Sequence, residues 1–137
     1  MTPDATNTLD RLRQACDADG ASFDDVLQEI VELWLARRHA RLNPGDVTAS
    51  AEPFAGYAIR VHPYGGSHEQ RSFYSWAAPA RRVDGDRLEI LAVSMGLIKP
   101  EMAAIFRVVR SMGYRHILRK RAGGRDHLMD VTLGGSQ

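Results

Sequence analysis

From Phe23 onward the apolar residues recur as Phe23, Val26, Leu27, Ile30, Val31 and Trp34, a spacing of three and four. That is one face of an α-helix. Ser22 stands before it as an N-cap, and Asp24 and Asp25 fall in the first turn, where the helix dipole favours negative charge. Arg37, Arg38, His39 and Arg41 crowd the last turns, and Asn43-Pro44-Gly45-Asp46 stops the helix. Upstream, Leu9, Leu12 and Cys16 share a face of a shorter helix, which Thr6, Asn7 or Thr8 can cap and Gly20 ends. Residues 1–45 are therefore expected to form a helical hairpin.

The period changes to two at Tyr57-Ala58-Ile59-Arg60-Val61-His62, a half-buried strand with Tyr57, Ile59 and Val61 on one side. Residues 46–56 read as a loop and Pro63–His68 as turn chemistry. Arg71–Trp76, rich in aromatic residues, reads as the partner strand, and Ala77–Gly85 as a linker. A β-hairpin with its linkers thus occupies 46–86. In 87–137 the pattern predicts a helix over Leu88–Met95, a turn at Gly96 and a second helix over Pro100–Met112, with Pro100 at the first helical position. Met102, Ile105, Phe106, Val109 and Met112 form the inner face of that second helix. Two strands follow, joined at Ala122-Gly123-Gly124, with Ile117 and Arg119 on one face and His116 and Leu118 on the other. The fold class is α+β, in three segments of one domain.

Charge changes this picture. Residues 1–36 carry eight acids against two arginines, whereas Lys99–Asp126 carries eight Lys or Arg against two acids, in a chain of net charge +1. Such segregation speaks of partners. Ala103, Ala104, Arg107 and Ser111, with Lys99 and Arg110 flanking, form a face of small residues and cations suited to base edges. Arg119, Lys120, Arg121 and Arg125 on the following ribbon suit phosphates. On the acidic side, Asp24, Asp25, Glu29 and Glu32 form the matching candidate surface for a protein partner. One cysteine excludes an internal disulfide. No segment approaches the ~20 apolar residues of a membrane span, and the polar, acidic start lacks the build of a signal peptide. A cytoplasmic protein without membrane contact is expected.

Ala92, Gly96 and Met102 have the spacing of two crossed helices: a small residue at the approach, glycine in the turn and an apolar lock. With the basic ribbon behind it, the C-terminal third resembles a winged helix-turn-helix domain. The resemblance implies that the second helix, through Lys99, Ala103, Ala104, Arg107 and Ser111, reads double-stranded DNA (or RNA). Arg119, Lys120, Arg121 and Arg125 would then grip the backbone, and a homodimer would present two such units. The first helix of such a unit would have to be the one ending at Arg41.

The same stretch can be cut as a strand over Leu88–Val93, a helix from Pro100, then Ser-Met-Gly-Tyr and two strands. So cut, it is similar to the tail of the acetyl-coenzyme A N-acetyltransferase superfamily. That resemblance implies a pyrophosphate-binding Arg/Gln-x-x-Gly-x-Gly/Ala loop, which this sequence does not contain. His62, His68 and Glu69 flank one turn and form a conceivable metal set, although turn histidines are ordinarily solvated. His116 and His127 are expected to oppose each other in the terminal hairpin. Phe73, Tyr74 and Trp76 could stack on bases or pack in a core. No Ser-His-Asp motif, phosphate loop or paired carboxylates stands out. The expectation is a small non-catalytic nucleic-acid-binding regulator, with no metal and no cofactor. A protein adaptor or inhibitor working through the acidic helix is the alternative, and an acetyltransferase-like fold without its cofactor loop the third.

Overall fold

A computed structural model describes residues 3–91, 96–120 and 126–134. The chain is an α+β protein that divides into two units, Met1–Leu35 and Ala36–Gln137. No helix among the described residues is long and apolar enough to cross a membrane.

The first unit holds α1 (Pro3–Asp19) and the first part of α2 (Phe23–Leu42). Gly20, at φ +68°, ends α1 as its place in the sequence predicts. The Ser22 hydroxyl accepts the Asp25 N–H at 3.3 Å, which caps α2. Within this unit the Arg13 guanidinium lies 4.2 Å above the Phe23 ring. The apolar stripe of α2 is half-buried at Phe23, Val26 and Leu27 but exposed at Ile30, Val31 and Trp34, the last at 60%.

The second unit is a six-stranded sheet in sequential order. It comprises β1 (Thr48–Pro53), β2 (Tyr57–His62), β3 (Trp76–Asp84), β4 (Arg87–Ile90), β5 (His116–Lys120) and β6 (Asp126–Asp130). Neighbours are antiparallel except β4 and β5, which run parallel and are joined by α3 (Lys99–Ser111). A parallel pair needs such a crossover, because a tight turn cannot reverse the chain twice. Helix α3 lies against β1 and β2. Ala104, Ile105 and Val109 there meet Ile59, Val61, Ala78, Ala80, Leu88, Ile90 and Ile117 in one core. A short α4 (Val131–Gly134) closes the chain against α3.

Several expectations are corrected. The segment 46–56 is not a loop: it holds β1 after a single 3-10 turn at Pro44–Asp46. The strand after β2 is Trp76–Asp84, where a linker was expected, and Arg71–Ser75 is not a strand. Leu88–Ile90 is a strand where a helix was expected, because Leu88 and Ile90 pair into the sheet and are buried; residues 92–95 lie outside the described residues. The elements therefore follow the strand–helix–strand order of the second way of cutting this stretch. In the last hairpin His116 faces Asp130 and Arg119 faces His127, so the two histidines are not opposed.

Candidate functional site

The predicted reading face of α3 does not survive as a unit. Ala104 is 2% exposed and belongs to the core, so it cannot meet a base. Arg107 donates through Nη2 to the Val47 carbonyl at 2.9 Å, and the Ser111 hydroxyl donates to the Val108 carbonyl at 2.6 Å. Lys99, Arg110 and Arg115 are exposed. Lys99, Pro100, Met102, Ala103, Phe106 and Arg107 instead line an apolar groove of about 600 Å³ with Pro44 and Gly45.

The N-terminus of α3 is filled by its own side chain. Glu101 is fully buried and accepts the Ile98 N–H at 2.9 Å, so the helix caps itself. Arg37 reaches the same carboxylate at 3.4 Å and donates to the Gly96 carbonyl at 2.7 Å. A carboxylate at this place competes with any anion.

Arg119 shares the face of Ile117 and is half-buried, with its Nε buried and unpartnered. It points toward the core side of the sheet, unlike a wing residue on a phosphate. The Lys120 side chain, Arg121 and Arg125 lie outside the described residues. Asp24, Asp25, Glu29 and Glu32 are all exposed on α2.

Chemistry concentrates elsewhere, on the face of the sheet away from α3. Ala49, Ala51, Ile59 and Val61 pack toward the core; alternation therefore places Ser50, Glu52, Arg60 and His62 together on the other face. The β1–β2 register sets Ser50 opposite Arg60 and Thr48 opposite His62. Arg60 donates to Glu52 at 3.0 Å and lies 5.3 Å from the Tyr74 ring, while its Nε is buried without a partner. His68 Nε2 meets the other Glu52 oxygen at 2.6 Å. The Arg60 hydrogen bond first, with His68 adding charge, holds the Glu52 carboxyl below its ordinary range.

Arg60, His68, Arg71, Ser72 and Tyr74 enclose a hollow of about 250 Å³. Exposed rings extend from it: Tyr64 lies 6.0 Å from Phe73 and 4.8 Å from His39. Phe73 and Tyr74 are thus neither core nor strand residues; they stand on the loop between β2 and β3 and are close to half exposed. Trp76, on β3, is half-buried against the core.

His62 is not a solvated turn residue. It is fully buried, with Nε2 at 2.7 Å from the Ser50 hydroxyl and Nδ1 at 3.1 Å from the Phe73 carbonyl. A carbonyl only accepts, so Nδ1 carries a proton, and Nε2 is left facing the Ser50 hydroxyl. The Ser50 oxygen also accepts the His68 N–H at 3.2 Å. The carboxylate that joins this group is Glu52, not Glu69. No cluster of three His, Cys, Asp or Glu placed for a metal ion occurs among the described residues.

The aromatic loop was visible in the sequence; its union with Ser50, Glu52 and Arg60 was not, because β1 was not recognised. Comparison with protein-family models, curated proteins and solved structures gave no match.

Proposed function

We propose that the chain is a cytoplasmic nucleic-acid-binding protein that takes single-stranded DNA or RNA at the β2–β3 loop. The observation that carries this reading is the pairing of exposed rings with cations around one hollow. Tyr74 sits under Arg60, Arg71 and His68 line the same space, and Tyr64 and Phe73 continue the surface. Flat rings stack on bases of any identity, but only on bases already free of a duplex. Arg60 stands on the wall of the hollow, and its guanidinium is a cation suited to a phosphate oxygen. At about 250 Å³ the hollow is smaller than the ~300–1,000 Å³ of a small-molecule site, which fits one ring or one phosphate. Exposed Lys99, Arg110 and Arg115 add a diffuse positive field.

Fluorescence anisotropy with a labelled single strand of about 20 bases and the matching duplex, over a range of salt, tests the proposal. The single strand should bind more tightly. Tyr74→Ala should cost about 1–3 kcal/mol, and Arg71→Ala should lower the salt slope by about 0.7. No binding at low salt, or binding indifferent to both substitutions, refutes it.

One feature favours an acyltransferase-like reading: the parallel β4–β5 pair bridged by α3. Its test is thermal stabilisation by acetyl-coenzyme A. The self-capped start of α3 weighs against it.

A further inference from the structure

We propose that the apolar groove between α3 and the turn before β1 binds a small amphipathic acid, a medium-length aliphatic chain ending in a carboxylate. None of the residues lining it lines the β2–β3 hollow, so the two sites are separate. At about 600 Å³ the groove falls within the ~300–1,000 Å³ of small-molecule sites, and Pro44, Pro100, Met102, Ala103 and Phe106 give it an almost wholly apolar lining. Met102 and Phe106 rest against the core yet are only half-buried, which leaves their outer surfaces as a hydrocarbon floor. The facing wall is low. Gly45 carries no side chain, and a Cβ there would meet nothing within 4 Å.

The groove is held in shape by its own bonds. Arg107 Nη2 donates to the Val47 carbonyl at 2.9 Å, which ties α3 to the end of the Pro44–Asp46 turn. That turn is fixed in its own right by the Asp46 N–H on the Asn43 carbonyl at 3.0 Å and by His39 against the Asp46 carboxylate at 2.8 Å. Both walls therefore stand in place before a ligand arrives, which lowers the ordering cost of binding. Charge then selects the occupant. The two charged residues on the lining, Lys99 and Arg107, are both cations. Lys99 opens α3 and Arg107 lies two turns further on, roughly 12 Å along the axis. Glu101, between them in sequence, is turned into the cap of α3 and does not line the groove. A neutral apolar partner gains nothing from either cation, whereas an acid does. Arg107 is already engaged on Val47, so the carboxylate falls to the exposed Lys99 ammonium, with the hydrocarbon chain laid along Met102, Ala103 and Phe106.

Isothermal titration of the full chain with decanoate, kept below the concentration at which it forms micelles, tests the proposal, with decanol as the uncharged match. Saturable one-to-one binding of decanoate is expected, and decanol should bind more weakly by roughly tenfold for want of the charge-assisted hydrogen bond. Lys99→Gln should weaken decanoate by a similar factor and leave decanol unchanged. Gly45→Phe should abolish binding of both by filling the groove. Each variant is checked by circular dichroism, and should Gly45→Phe fail to fold, the exposed Lys99→Gln still decides. Sedimentation of the unliganded chain shows whether a second copy takes the groove instead. No saturable binding, decanol as tight as decanoate, or decanoate binding undiminished in Gly45→Phe overturns the proposal, as does a dimer of the unaltered chain that Gly45→Phe dissociates.

Discussion

Replacing Glu101 by alanine and, separately, by glutamine distinguishes its cap from its charge. The carboxylate is fully buried, with Oε1 on the Ile98 N–H at 2.9 Å and Oε2 enclosed without a partner. Alanine orphans the Ile98 N–H, a loss of about 1–2 kcal/mol, and leaves a small cavity costing about 1 kcal/mol more. Against this, removing a buried charge with an unpartnered oxygen recovers some free energy. Arg37 contributes little, since its side chain is 45% exposed and sits 3.4 Å away. The net loss for Glu101→Ala is about 2 kcal/mol, or on the order of 10 °C in melting temperature for a unit of this size. Glutamine keeps the accepting oxygen and removes the charge, so Glu101→Gln should cost under ~1 kcal/mol. Urea unfolding followed by Trp76 fluorescence, in a Trp34→Phe background, reports on the second unit alone. Equal losses for the two variants would show that the ion pair, and not the cap, holds the start of α3, and would refute the reasoning.

Gly56→Ala should destabilise by roughly 2–4 kcal/mol in the same assay. Its φ is +120° and a Cβ there would stand 2.6 Å from the Ala80 carbonyl oxygen, whereas Gly113→Ala, with nothing within 4 Å, should cost clearly less. Arg60→Gln should return the Glu52 carboxyl toward its ordinary range, as read by carboxyl-carbon NMR titration. Because that value is lowered in the folded protein, Glu52 contributes stability above its ordinary range and loses it as pH falls through the folded value. Burial first, then the Tyr57 contact, pushes the Tyr114 phenol above its ordinary value. Its contribution to stability is therefore complete below the ordinary tyrosine range and lost as pH rises through the folded value. Ultraviolet difference absorbance should show one tyrosine ionising late; four tyrosines titrating together would contradict its burial.

Elements with strong periodicity were legible in advance. The capped start of α2, the alternation of β2, the Pro100 start of α3 and the strand β5 stand where the pattern puts them, whereas the return strand, whose alternation runs on to Leu133, ends at Asp130 and gives way to α4. Three strands were not. β1 reads Thr-Ala-Ser-Ala-Glu-Pro, with little branched or aromatic character, and is a strand because β2 pairs with it. β3 carries Pro79 in an interior strand, where proline ordinarily argues against one. β4 is four residues long, too short for periodicity to separate strand from helix. Sequence spacing could not reveal the Ser50–His62 contact either, since it depends on the β1–β2 register. The exposed half of the α2 stripe shows the converse: apolar period fixes a helix without fixing what covers it.

The one parallel seam also governs how copies of this chain can go wrong. The outer edges of the sheet are guarded, by Glu52 and Pro53 on β1 and by Asp130 on β6, residues that discourage a further strand. Between β4 and β5 there is no such guard: Leu88 and Ile90 on one side and Ile117 on the other are wholly enclosed. Should that ladder open, two bare apolar edges appear, each complementary to the other edge of a neighbouring copy. Reciprocal exchange of α3, β5 and β6 between two chains closes both and leaves a swapped dimer; exchange that fails to close propagates into a fibre.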